Sequence, residues 1–209
     1  VDIWPIQKAY QKQLTSEFLV KFSLQLGVSV SSLQRLEAGW DGKHYTFPMR
    51  NANEWIIGIS VRGKDKKWCV TGSSNGLFWP WGLDLDSDKE LWFPEGPTDC
   101  GALLDMCFDA IGRQGCLGCT DHIITLLKRT RRKKRIVIMA DKDTPKTRPD
   151  GSQWVPGLEG AERLAKAISK YSESIKIIQP PYCKDIRQWR NKGATREMVL
   201  AVLNNTRFF

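Results

Sequence analysis

The chain has 209 residues, 41% of them hydrophobic and 26% charged, with nine tryptophans and a formal net charge of +9. That size and apolar content supply one substantial domain or two small ones sharing an interface and exclude wholesale disorder, while the basic balance leans toward a polyanionic partner without defining a site. With no apolar run near the ~18 residues of a membrane span, no apolar N-terminal signal segment and only six unevenly spaced cysteines, a soluble, cytoplasmic protein with reduced thiols and no membrane contact is expected.

Residues 5–26 and 29–36 read as helices, the second opening at Ser29 or Ser31, and Gly39 closes this part. Segments 45–50, 55–62 and 67–71 carry β-branched and aromatic residues. They are separated by the turn-like Asn51-Ala52-Asn53 and Gly63-Lys64-Asp65, which predicts a small antiparallel meander. The polar stretch 84–89 marks a boundary, dividing the chain into a helical and β unit over 1–88 and a second unit over 89–209.

From Glu90 strands alternate with helices, which predicts an α/β fold with a mostly parallel sheet flanked by helices. A strand over 90–94 precedes a helix over 98–109, where Thr98 can cap and Ala102, Leu103, Met106 and Cys107 form an apolar stripe. A short segment at Ala110-Ile111 leads through a glycine-rich loop to a helix over 121–130. A strand over 135–140, a proline-containing loop to Gly157, a helix over 158–170, a strand over 174–179 and helices over 185–191 and 195–204 complete the chain.

Two acidic clusters carry the chemistry. Glu95-Gly96-Pro97-Thr98-Asp99 follows the apolar Leu91-Trp92-Phe93, and Asp141-Lys142-Asp143 follows a second apolar run, Ile136 to Ala140. Ligands of parallel sheets bind at the carboxyl ends of the strands, so carboxylates arriving there from two strands can converge on one hard cation. Carboxylates two apart in an extended segment, such as Asp141 and Asp143, point to the same side. Glu95 and Asp99 alone have a simpler explanation, since acidic residues favour a helix start. The ordered pair of clusters, each behind a strand, is what points to a metal site.

These residues resemble the Toprim fold shared by DnaG-type primases, topoisomerases and certain nucleases. The Glu-Gly motif after the first strand is Glu95-Gly96 with Asp99, the Asp-X-Asp motif is Asp141 with Asp143, and Lys184-Asp185 matches the third acidic element. The resemblance implies Mg2+ or Mn2+ held by Asp141, Asp143 and Asp185, with Glu95 as a further ligand or a base and Asp99 orienting it. Phe47 to Arg50, Ile56 to Arg62 and Lys67 to Ser73 look like the basic subdomain preceding Toprim in primase polymerase cores, and Leu26 to Leu36 resembles its helical lead-in. The family then implies a DNA primase core that makes RNA primers from NTPs on a single-stranded DNA template. Arg50, Arg62 and Lys67 would contact template or nucleotide phosphate, with Lys184 beside the acids. A replicative helicase or a separate zinc-binding, template-recognition module is the implied protein partner, the chain standing alone or as a fragment of a larger primase. The rivals are a Toprim nuclease, which would activate water with the same carboxylates, and a non-catalytic nucleic-acid-binding replication accessory. A topoisomerase is disfavoured, because no tyrosine-bearing cleavage domain is visible.

The chain departs from the family pattern in two places. Residues 144–157 make a long segment after Asp143, a candidate substrate-contacting loop, and Ser60-Val61 stand where cellular primases carry Gly-Gly before the arginine. The missing Gly-Gly suggests a divergent branch such as that of a phage, plasmid or other mobile element. Cys116-Leu117-Gly118-Cys119 lacks the second pair that a closed zinc site needs, and is expected in the glycine-rich loop near the acidic cleft. The run Lys128-Arg129-Thr130-Arg131-Arg132-Lys133-Lys134-Arg135 is expected to be looped. It reads either as a solvated face or, through Lys128, Arg129, Arg131 and Arg132, as a backbone-phosphate contact.

Overall fold

The computed structural model describes residues 2–63 and 66–209, so Lys64 and Asp65 of the expected turn at 63–65 lie outside the described residues. Three helices lead: α1 (Ile3–Gln13), α2 (Ser16–Leu26) and α3 (Val30–Arg35). The single helix expected over 5–26 is therefore two. Leu14 leaves the helical region, and the extended Thr15 accepts the Phe18 N–H on its hydroxyl at 3.3 Å, a side-chain cap that favours a new start there. Gly27, at φ 63°, ends α2 in the left-handed conformation. Of the two serines considered, Ser29 caps α3, accepting the Ser32 N–H at 3.1 Å.

The meander follows as β1 (Gly39–Trp40), β2 (Tyr45–Arg50), β3 (Ile56–Arg62), β4 (Lys67–Cys69) and β5 (Leu77–Phe78). Next come β6 (Leu91–Phe93), α4 (Pro97–Asp105), β7 (Asp109–Ala110), β8 (Gly112–Arg113) and α5 (Thr120–Arg129). The chain continues with β9 (Lys134–Met139), β10 (Lys146–Thr147), β11 (Gln153–Trp154), α6 (Pro156–Ile168), β12 (Ser172–Ile178), α7 (Ile186–Asn191) and α8 (Arg196–Asn205).

Two sheets organise these elements. The first is antiparallel, in the order β4-β3-β2-β5-β8 with β1 on β2, and the second is parallel, in the order β12-β9-β6-β7. Residues 109–113 stitch them together: β7 lies beside β6, β8 pairs with β5, and the Ile111 and Arg113 N–H groups donate to Trp92 and Pro94 at 2.9 Å. In the parallel sheet Trp92, Val137 and Met139 face a core that also contains Phe22, Phe47 and Leu103. Leu91, Phe93, Ile136 and Ile138 face the other way, toward Ile123, Leu127, Leu164 and Ile168 of α5 and α6. Both faces are thus covered, which is why β6 and β9 read as unbroken apolar runs.

Helix α4 stops at Asp105, short of the expected 109, because Cys107 turns left-handed (φ 60°) and the chain re-enters the sheet as β7. Its cap is Gly96 at φ 96°, with Pro97 opening the helix; Thr98, expected to cap, is buried inside it. The long segment after Asp143 holds the antiparallel hairpin β10–β11. Among the described residues no helix is long and apolar enough to cross a membrane.

Candidate active site

Glu95 lies two residues beyond β6 and Asp141 two beyond β9, and Asp185 closes the loop after β12. These strands are neighbours and parallel, so the three carboxylates arrive at one end of the sheet. The Asp141 N–H donates to Glu95 Oε1 at 3.4 Å, and Gln179 Nε2 donates to the Asp141 carbonyl at 2.9 Å, tying the three strand ends together. Asp143 accepts the Gly157 N–H at the start of α6 on Oδ2 at 3.1 Å, and Lys184 Nζ lies 3.4 Å from its Oδ1. Asp185 caps α7, accepting the Gln188 N–H at 2.7 Å. Asp99, in the first turn of α4, accepts the Arg187 N–H at 3.3 Å.

Three of these carboxylates, Glu95, Asp99 and Asp141, resist ionisation in the half-dry crevice. Burial, then the charges of Asp99, Glu95, Asp185 and Asp143, push Asp141 up to about 8. Asp99 is raised by burial and by Asp185, against the opposing pull of Arg187 and Lys67, and Glu95 is raised by burial against Arg113. The donors are all oxygens, and the Asp141 carboxylate has no protein hydrogen bond or ion pair among the described residues. That chemistry fits a hard divalent cation. No three acidic, histidine or cysteine side chains among the described residues are already drawn into ligating geometry, so a cation would have to gather them.

The antiparallel sheet supplies the opposite wall. Ser60, Arg62 and Lys67 line a cavity of about 140 Å³ together with Glu95, Gly96 and Asp141. Burial lowers Arg62, and Arg187 lowers it further, while Asp99 and Asp185 oppose the shift, which is the signature of a guanidinium facing the acids. A side chain at Gly96 would point between Asp99 and Lys67, whose polar atoms lie 3.9 and 4.0 Å from the position its Cβ would take. The structure therefore brings together Glu95, Asp99, Asp141, Asp143, Asp185, Arg62, Lys67 and Lys184.

It does not bring Arg50 there. That guanidinium pairs with Glu37 and donates to the Glu54 carbonyl. The basic run also lies elsewhere, and it is not one loop: α5 reaches Arg129 and β9 begins at Lys134. It sits at the amino end of β9, about 20 Å from Asp141 at the usual strand rise. Arg129 donates to the Ala52 carbonyl and to Asn53, Arg131 pairs with Asp86 at 3.3 Å, Arg132 with Asp88 at 2.6 Å and Arg135 with Glu90 at 3.3 Å. The Lys128 ammonium stands 5.2 Å over the Tyr171 ring. The acidic alternation Asp84, Asp86, Asp88, Glu90, opposite in sign to the run, was the available signal of this pairing.

Two arginines of the cleft carry no sequence signal of their own. Arg113 is wholly buried, 3.7 Å from Glu95 Oε1, and donates to the Cys116 carbonyl at 2.9 Å, while its Nε and Nη2 lack hydrogen-bond partners among the described residues. Arg187 fixes Asp99 through its backbone, lies 3.9 Å from Asp185 and donates to the Leu26 carbonyl at 3.3 Å. Cys116 and Cys119 are free thiols, and burial, then the nearby Glu95 charge, raises Cys116. Trp189 packs in the core, and the Arg148 guanidinium covers Trp154 at 5.3 Å.

No family model matches the sequence, and no curated protein matches it. Solved structures do. The DnaG catalytic core is 17% identical with a TM-score of 0.72, over 99% of this chain and 79% of that one. The E. coli primase catalytic core is 17% identical with a TM-score of 0.70, over 98% and 79%. The primase fragment of the bacteriophage T7 primase-helicase protein is 22% identical with a TM-score of 0.64, over 86% and 72%. The likeness is one of fold, that of the DnaG primase catalytic core.

Proposed function

We propose that this chain, on the fold of the DnaG primase catalytic core, is a primase-like nucleotidyltransferase that joins ribonucleotides on single-stranded DNA with Mg2+ or Mn2+. One observation carries the reading: carboxylates from the ends of three adjacent parallel strands share a cleft with Arg62 and Lys67 of the antiparallel sheet. In this reading residues 1–88 are the basic subdomain and 89–209 the Toprim domain. A structure of the DnaG primase catalytic domain bound to single-stranded DNA, among those similar to this chain, supports the choice of template. The T7 primase-helicase fragment supports a replicative helicase as partner.

Asp141, Asp143 and Asp185 would hold the divalent ion, which when bound lowers the pKa of a coordinated hydroxyl and offsets charge on phosphate. Glu95, its acidity weakened by burial, is suited to take the proton of the primer 3′-hydroxyl. Arg62 and Lys67 hold the triphosphate and stabilise the charge that grows on departing pyrophosphate. Arg187 keeps Asp99 and Asp185 in place; Asp99 meets Arg187 rather than Glu95, so the orienting of Glu95 expected of it falls instead to the Asp141 N–H and Arg113. Lys184 occupies Asp143 with an ammonium that a nucleotide phosphate can draw away.

The test is incubation of the protein with single-stranded DNA, Mg2+ and labelled NTPs, beside a lane without NTPs. Template-dependent RNA product with intact DNA is expected. Cleaved DNA with no product would overturn the reading in favour of a nuclease.

A further inference from the structure

We propose that Tyr182 is a stacking platform for an unpaired nucleobase at the rim of the acidic cleft. The inference rests on the nucleotide-handling reading above, and its binding test can be read without catalysis.

Tyr182 is 85% exposed as a residue and makes no aromatic or cation–π contact among the described residues. An aromatic ring of this size gains substantially from burial, and only on a mobile loop would a ring left in water be unremarkable. This loop is instead fastened on both sides of the ring. The Lys142 ammonium donates to the Pro181 carbonyl at 2.7 Å, and the Lys142 N–H donates to the Lys184 carbonyl at 2.7 Å. Cys183 is buried and Asp185 caps α7, while Pro180 and Pro181 restrict the backbone before the ring. The ring is thus presented from a fixed backbone, which lowers the entropy cost of stacking on it.

Its neighbours match a nucleic acid. Lys142 and Lys184 flank it, both largely in solvent, and Lys184 reaches Asp143 at 3.4 Å. An exposed aromatic residue on a segment that also carries two lysines combines the two elements that hold a single strand: charge follows the backbone, and the ring takes the base. Trp55 and Trp81 are about as exposed, but neither is tied down by residues of the acidic cleft.

The test is equilibrium binding of a labelled oligo-dT by fluorescence anisotropy at fixed salt, with the Michaelis constant for NTP measured in parallel on the same proteins. Tyr182→Ala is expected to weaken oligonucleotide binding about tenfold. Tyr182→Phe and Tyr182→Trp should stay within about twofold of wild type, with the salt dependence unchanged because no charge is altered. A rise confined to the NTP constant would assign the base to the incoming nucleotide instead of the template and also supports stacking. Melting temperature is expected to be unchanged in Tyr182→Ala, since the residue is 85% exposed. If both constants match wild type in Tyr182→Ala, or if wild type binds neither ligand, the proposal fails. A wild-type protein that binds DNA but makes no primer would overturn the primase reading alone.

Discussion

Asp141 is the residue whose ionisation the fold opposes most openly. Its carboxyl is pushed up to about 8 by burial and four neighbouring acids. A carboxylate raised above its unfolded value of ~3.9 contributes stability that is full below that value and is lost as pH rises toward the folded value. Metal-free Asp141→Asn should therefore melt progressively higher than wild type as pH goes from 4 to 8, by on the order of 5 °C at pH 8. Mg2+ should close the gap by stabilising wild type alone. Calorimetry across that range checks it, and a gap that shrinks with pH would contradict it. The acidic residues were legible because each follows an apolar strand in the sequence. Arg113 and Arg187 were not, because what makes them part of the cleft is burial against groups distant in sequence, Glu95 for Arg113 and the Leu26 carbonyl and Asp99 for Arg187.

At the scale of elements, the junction of α5 and β9 and the paired strands β3 and β4 carry basic residues with different fates. Arg131, Arg132 and Arg135 are matched by Asp86, Asp88 and Glu90, whereas Arg62 and Lys67 line the cavity. Replacing Lys67 by Gln should reduce the slope of log affinity for single-stranded DNA against log salt by ~0.7. The pair Arg131→Gln and Arg132→Gln should leave that slope nearly unchanged. An equal or larger loss from the second pair would put the DNA contact at the amino end of the sheet. The longer helices and strands were readable from periodicity and apolar runs. The two-residue strands β1, β5, β7, β8, β10 and β11 were not readable as strands, being too short to display a period. The break between α1 and α2 was missed because apolar residues continue through it, and only the hydroxyl of Thr15 marks a new start.

For the whole molecule, the two sheets share the strand segment 109–113 and one apolar core that runs from Phe22 and Phe47 through Trp92 to Ile186 and Leu203. A core common to both parts predicts a single cooperative unfolding transition, with near- and far-ultraviolet circular dichroism curves superimposing in urea. Two separated transitions would show parts that stand alone. The α/β character was visible in the alternation of strands and helices, but the stitching was not, since pairing between residues 77–78 and 112–113 leaves no local trace. That assembly matters for function because it sets basic residues from one sheet against acids from the other. The most direct measurement is incorporation of labelled NTPs on single-stranded DNA with Mg2+, comparing wild type with Asp141→Asn from the parallel sheet and Arg62→Gln from the antiparallel one. Primer synthesis by wild type, reduced at least ~100-fold in both variants while their folds persist, is the predicted result; undiminished synthesis in Asp141→Asn would contradict it.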